Sequence, residues 1–306
     1  MTMLPLPPET VHLPFEPGPY RMAMGLTTAA EPDWFEFDAL YLTEMRERHR
    51  LLAAQRAEVF AALPCSAAAR HETLQMMADH LPLHRPSWFA RDGANLVNQL
   101  TGETWNLAKP SRDPLEIAGL LVQEDLCIIQ VQDSVPHFTA AVLCFPSRWR
   151  LGEKIGRPLA DVHGPVPIYP DRLSRPVDRF MRHIRAGHIA TRLNWSILDD
   201  PTLFQPTGKW RDGDNARVTA ANAGETLYLR VERQTLRRLP VSDAVLFGIR
   251  VHSYPLGRVV ASPALAGRLA EAVRALPSDI VHYKSLRPIR DALLGWLDAH
   301  AVITTR

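Results

Sequence analysis

The chain has 306 residues, 46% of them hydrophobic and 22% charged, with a formal net charge of +2. This composition suits a soluble globular protein with a large core and excludes a disordered or fibrous chain. Acids and bases are interspersed without a run, so a nucleic-acid surface has no support, and no apolar stretch of about 18 residues marks a membrane span.

In chain order, the first 35 residues are rich in proline, with Phe15, Trp34 and Phe35 among them. They are expected to form an extended arm laid over the body (residues 1–35), because a free tail would not carry that aromatic load. Residues 36–306 are expected to form a single domain. Helical spacing runs from Phe37 to Leu63 and from Ala67 to His80, stopping before Pro82. A further helix is expected over residues 113–123, with Asp113 as N-cap and Pro114 at the first helical position. Leu126–Gln132 and Phe138–Phe145 read as strands separated by the turn Asp133-Ser134-Val135-Pro136. A helix at 173–186, a strand at 188–197 and a polar loop at 206–224 follow. Thr226–Leu236 and Ala244–Tyr254 read as strands, and helices at 262–275 (Ser262 as N-cap) and 287–299 close the chain. The layout is α+β: an antiparallel sheet at about 125–255 flanked by helices from both ends.

Four segments carry candidate chemistry. Val162-His163-Gly164-Pro165-Val166-Pro167 places a histidine on a stiff segment, since each proline fixes φ and restricts its predecessor. Such a setting suits an axial metal ligand, and it also describes an ordinary turn. In Arg192-Leu193-Asn194-Trp195-Ser196-Ile197, alternation puts Arg192, Asn194 and Ser196 on one face and Leu193, Trp195 and Ile197 on the other. The polar row can hold an anionic group, or can simply face solvent. In Glu232-Arg233-Gln234, Glu232 and Gln234 share a face, while Arg233 points with Val231 and Thr235 and needs a carboxylate, from a ligand or from this chain. Arg250 repeats the theme of an arginine in an apolar strand, and Phe247-Gly248 marks a close approach to the backbone.

No dinucleotide fingerprint, P-loop, zinc-protease or nucleophile-elbow motif occurs. Cys65, Cys127 and Cys144 are far apart and form no metal or cluster set, and no N-terminal signal pattern is present, so the chain is expected to be reduced and cytoplasmic. The basic residues are nearly all arginine; Lys109, Lys154, Lys209 and Lys284 are the only lysines.

Lys154-Ile155-Gly156, the His163 segment, Pro176-Val177-Asp178-Arg179-Phe180, Arg192-Leu193-Asn194-Trp195 and Glu232-Arg233-Gln234-Thr235-Leu236-Arg237-Arg238-Leu239-Pro240 together resemble the haem-dependent oxidative N-demethylase α-subunit family. The similarity covers about residues 30–300 in matching order, and the last block is its most specific part. The resemblance implies a PAS-like fold holding a haem b, with O2 used to oxidise a small secondary amine such as dimethylamine to a primary amine and formaldehyde. It implies electrons from NADPH through a partner subunit carrying FMN and [2Fe–2S], neither of which this chain has motifs for. Tetrahydrofolate is a further associated cofactor. On this reading His163 is the iron ligand, with His183 as its rival, and Arg192, Arg233 and Arg250 pair with propionates. Asn194, Trp195 and Glu232 line the amine pocket. The competing class is a haem- or ligand-binding PAS-type sensor or carrier without turnover.

Overall fold

The structure, a computed structural model, describes residues 5–301. Its strands are β1 (Thr27–Ala29), β2 (Phe60–Ala62), β3 (Phe89–Asp92), β4 (Asn95–Asn98), β5 (Glu103–Asn106), β6 (Glu124–Gln132), β7 (Val135–Val142), β8 (Ile189–Leu198), β9 (Tyr228–Arg238) and β10 (Val245–Pro255). Seven of them form one antiparallel sheet in the order β1-β8-β9-β10-β6-β7-β2, and β3, β4 and β5 form a small second sheet. The fold class is α+β.

The longest pairing joins β9 to β10, with Arg233 opposite Arg250 and Thr235 opposite Gly248. Gly248 is required there: a Cβ would lie 2.7 Å from the Thr235 hydroxyl oxygen. Next to it, β8 pairs with β9 so that Asn194 faces Glu232 and Trp195 faces Val231. β6 and β7 form a hairpin whose two turn residues, Asp133 and Ser134, have φ of 48° and 66°. That is the left-handed geometry that matches strand twist in tight hairpins.

One side of the sheet near β8 and β9 packs on the C-terminal helices Pro263–Arg274, Ser278–Tyr283 and Arg290–Ala301. Leu229, Val231 and Tyr254 meet Leu269, Val273 and Leu293 in that layer. Phe15, 1% exposed, joins the same layer from the N-terminal segment. A second core joins the helices Tyr41–Ala54 and Ala67–His84 to β6 and β7 through Met45, Leu51, Leu74, Met77, Leu126 and Val142.

The local signals act where expected. Asp113 Oδ1 accepts from Leu115 N at 2.9 Å with Pro114 leading the helix, and Ser262 Oγ accepts from Leu265 N at 3.3 Å. The helix expected over 113–123 is Pro114–Gly119, and three further boundaries differ for a physical reason. The expected Phe37–Leu63 helix is Tyr41–Ala54, followed by a short turn and β2, whose Phe60 pairs with Val142 at the sheet edge. The Ala67 helix runs through Pro82 to His84, because Leu81 is fully buried and Arg85 N still reaches Leu81 O at 2.7 Å. The hairpin turn is shorter than expected, so Val135 and Pro136 belong to β7.

Candidate functional site

Residues Ala190 to Ser196 of β8 all retain partial exposure, and β1 covers the strand's outer edge only at Ile189–Thr191. On the face bearing Arg192, Asn194, Glu232 and Gln234 this marks a polar recess. Glu232 is its organising group. Its Oε1 accepts from Ser147 Oγ at 2.6 Å, and its Oε2 accepts from Gln234 Nε2 at 2.9 Å and Asn194 Nδ2 at 3.3 Å. Burial raises the carboxyl pKa, but the Ser147 hydroxyl, the Arg230 guanidinium and the two amides together hold it below the usual carboxylate value.

Ser147 is fixed in turn. Its Oγ takes Arg230 Nε at 2.9 Å, while the same guanidinium donates to the carbonyls of Phe145, Thr202 and Leu203. The preceding turn is anchored by Asp125, which accepts from Cys144 N at 2.8 Å and Phe145 N at 2.9 Å and pairs with Arg48 at 2.9 Å. Arg230 thus ties the loop after β7 and the loop after β8 to the start of β9.

Lys154, Lys209, Lys284 and Arg192 are each drawn towards their charged form by Glu232, and Glu153 acts in the same sense on Lys154 and Lys209. Burial pulls all four the other way, and Lys154 and Lys284 are pushed down to about 8. Lys154 Nζ donates to Val162 O at 2.8 Å, and Lys284 Nζ donates to Trp195 O. Lys209 Nζ lies 4.6 Å above the Tyr283 ring, and the buried Arg192 Nε has no partner among the described residues. Four cations against the two carboxylates Glu232 and Glu153, with one arginine Nε lacking a partner among the described residues, are suited to a bound anion.

His163 borders the same recess, since Lys154 Nζ donates to the carbonyl of its neighbour Val162 at 2.8 Å. Burial and the cations Lys154, Arg192 and Lys209 push its pKa down to about 4 against the opposing pull of Leu159 O, so it is neutral near pH 7. The residue closes the one-turn helix Leu159–Val162 instead of lying on extended chain, which corrects the expectation of a wholly irregular segment. Its Nδ1 lies 2.9 Å from Leu159 O, so the proton resides there and Nε2 carries the lone pair. The ring stacks on Tyr169, centroids 4.6 Å apart at 14°.

The other expected site residues are placed differently. Trp195 is on the opposite face from Asn194, with its ring edge-on to Phe15 at 6.2 Å, and does not line the recess. Arg233 and Arg250 are also on that far face and already hold carboxylates of this chain. Arg233 Nε is 3.3 Å from Glu36 Oε1 and its head also donates to Asp33 O and Trp34 O. Arg250, 0% exposed, holds Asp38 at 2.6 Å and Glu44 at 2.8 Å. Burial raises Glu44, which Arg250 counters, so the charge on this arginine is matched by carboxylates of this chain. His183 is exposed, its Nδ1 2.7 Å from Arg179 O, in a groove of about 540 Å³ with Arg175, Pro176, Phe180 and Ile184.

Sequence reasoning missed Ser147 and the lysines. A signal was present: in a chain with four lysines, three converge here.

A family model described as haem-dependent oxidative N-demethylase, alpha subunit-like, matches residues 25–294. The chain belongs to this family. The family's name carries haem dependence and an oxidative demethylation, the chemistry of an oxidoreductase, and "alpha subunit" carries an assembly of more than one chain. No helix among the described residues is long and apolar enough to cross a membrane. The recess fits the family's cofactor. It offers a neutral imidazole with a free Nε2 and a backbone carbonyl holding Nδ1, and cations for two carboxylates in Arg192, whose Nε has no partner among the described residues, and Lys209.

Proposed function

We propose that this chain is the haem-bearing subunit of a monooxygenase that demethylates a small secondary amine of dimethylamine type, yielding the primary amine and formaldehyde. Electrons would come from NADPH through a separate subunit carrying FMN and [2Fe–2S]. The observation that carries the reading is the meeting of His163, whose Nδ1 is held by Leu159 O and whose neighbour Val162 is held by Lys154, with the polar face of Glu232, Asn194 and the Arg192 Nε that lacks a partner among the described residues. The order of the five long strands supports a PAS-like core: counted along the chain from β6, they lie 2-1-5-4-3.

Bound haem b would supply O2 activation, one oxygen entering the methyl group and the other leaving as water at the expense of two electrons and two protons. His163 would hold the iron through Nε2. Its Nδ1–H bond to Leu159 O fixes tautomer and ring plane, and stacking on Tyr169 leaves the in-plane lone pair clear. Arg192 and Lys209 are the groups free to pair with propionates, since Lys154 and Lys284 are tethered to backbone carbonyls. With those charges matched, Glu232 becomes the attractive group for an ammonium, and Asn194 and Gln234 hold its Oε2 in place. Ser147, polarised by Arg230, keeps the carboxylate ionised by donating to Oε1.

His183 is a second reading for the iron ligand, favoured by the groove it lines with Phe180 and Pro176. The purified chain is expected to show a Soret band that His163→Ala removes or shifts and His183→Ala leaves unchanged. Formaldehyde should form from a methylated amine once the reductase subunit and NADPH are added. The reverse pattern in the two histidine variants would move the ligand to His183. Haem binding with no formaldehyde from any methylated amine would leave a sensor or carrier instead of an enzyme.

A further inference from the structure

On the face of the sheet away from His163, three elements distant in sequence bring together two imidazoles and a carboxylate. His12 lies in the N-terminal segment, Glu36 just before the first long helix, and His252 on β10. Nε2 of His252 is 3.0 Å from Glu36 Oε2, and Nε2 of His12 is 3.1 Å from Oε1 and 3.3 Å from Oε2. The two rings are 5.1 Å apart and inclined at 59°, so both direct Nε2 towards the same carboxylate.

The two histidine–carboxylate separations are those of ligands around one ion, and the three ligand atoms all lie within 4.8 Å of one another. A tetrahedral metal with bonds of about 2.0–2.1 Å spaces its ligands by roughly 3.3 Å. We propose that His12 Nε2, His252 Nε2 and Glu36 Oε2 form a site for one Zn2+-class divalent ion, which fastens the N-terminal segment to β10. Imidazole with carboxylate is a donor set for zinc and its first-row neighbours, and it disfavours magnesium or calcium, which take oxygen ligands.

The surroundings support Oε2 as the ligating oxygen. Arg233 Nε holds Oε1 at 3.3 Å, which orients the carboxylate without covering Oε2. His252 is 2% exposed and held within the sheet, whereas the His12 and Glu36 side chains are 18% and 21% exposed, leaving an entry path and room for water as fourth ligand. One supporting contact is lacking, because buried His252 Nδ1 has no acceptor among the described residues. Contacts that hold a ligating imidazole from behind are worth roughly 10–100-fold in affinity, so the site should bind that much more weakly than a fully supported one.

The ion would act on the segment around His12. That stretch is already tied to β10 by Tyr254, whose OH donates to Thr10 O at 2.6 Å and accepts from His12 N at 3.3 Å. A metal bond at His12 would add a link between two strong contacts, Tyr254 on one side and buried Phe15 on the other.

A second cluster, Glu31, His80 and His84, provides the internal control. There the Glu31 oxygen that His80 Nδ1 faces at 3.6 Å is already held by Arg237 at 2.5 Å, so a cation of the chain occupies the position an ion would take.

The test is titration of the full chain, stripped by chelator dialysis, with Zn2+ alone against a chromophoric competitor. Proteolytic nicking of the first 20 residues is followed in parallel. One equivalent should bind and slow the nicking. His12→Ala should cost at least the roughly 10–100-fold that loss of a supporting contact costs, abolishing the protection, with haem content unchanged. His12→Gln, which keeps a polar side chain in place, should behave likewise, while His84→Ala should bind as the wild type does. Zn2+ binding that survives both His12 variants, or that is lost in His84→Ala, or a wild type that takes up no zinc, overturns the proposal.

Discussion

Ser147 Oγ donates to Glu232 Oε1 over 2.6 Å, the shortest of the contacts that hold this carboxylate, and links it to Arg230 on its own strand. Removing the hydroxyl deprives a buried carboxylate of one donor and leaves Arg230 Nε without its acceptor. Ser147→Ala should therefore lower stability by about 1–3 kcal/mol, the usual cost of unsatisfied buried polar groups. It should also raise the Glu232 pKa and weaken the amine-induced shift of the Soret band. Denaturant midpoints and amine titrations at two pH values measure both. If stability falls while the amine titration is unchanged, Ser147 supports the loop alone.

Lys284 gives a pH dependence of definite sign. Burial pushes its pKa down to about 8 from the ordinary 10.5, with Glu232 opposing and Arg192 and Lys209 reinforcing the fall. Between these two values the unfolded chain binds more protons than the folded one, so stability rises with pH. The cost of the buried ammonium is complete below about 8 and vanishes above about 10.5. Lys284→Met should consequently melt above the wild type at pH 7, and the gap should close as pH rises through that window. An anion bound in the recess should close it at pH 7 as well. A gap independent of pH would show that Lys284 is not charged against a cost.

Much of the fold was legible because its signals are local. Asp113-Pro114 and Ser262 announce helix starts through hydrogen bonds made within three residues, and alternation in β8 and β9 correctly sorted Asn194, Arg192 and Glu232 from Trp195 and Arg233. The same alternation forbids Trp195 from sharing a pocket with Asn194, a consequence of the two-residue period of a strand and nothing else. The sheet β3–β5 went unread although Asp92-Gly93 and Thr101-Gly102 mark its turns, because its short strands mix polar and apolar residues without a run. The partners of Arg233 and Arg250 lie about 200 residues away, so only tertiary structure could decide between a carboxylate of the chain and one of a ligand. The rarity of lysine was plain, but the convergence of Lys154, Lys209 and Lys284 depends on three separate loops meeting over β8 and β9.

Arg250 tests the division between the two faces. Its Nη1 and Nη2 hold Glu44 and Asp38 in a buried network, to which Gln123 adds bonds of 3.1 Å and 2.9 Å on the two acids. Arg250→Met leaves two buried carboxyls without their cation and should cost about 3–5 kcal/mol. Whatever protein remains folded should keep the haem content and Soret position of the wild type. Arg192→Met should do the opposite, lowering haem retention with little change in stability, since its Nε has no partner to lose. Haem loss in folded Arg250→Met with retention in Arg192→Met would reverse the assignment of propionate partners.

Gly248 is the last position with a sharp expectation. It sits opposite Thr235 in the β9–β10 pair, and the methyl of an alanine would stand 2.7 Å from Thr235 Oγ1, with Glu124 Cγ at 3.8 Å beyond. The side chain of Thr235 is buried and cannot swing to solvent, so strands or rotamer must shift. Gly248→Ala should cost about 1–3 kcal/mol, as overpacking does. Replacing Thr235 by alanine removes the obstructing oxygen, and because that oxygen has no hydrogen-bond partner among the described residues its loss is cheap. The double variant Gly248→Ala, Thr235→Ala should therefore recover most of the loss, giving a coupling energy of about 0.5–3 kcal/mol in a double-mutant cycle. Additive effects of the two changes would mean that the glycine serves some need other than room for Thr235.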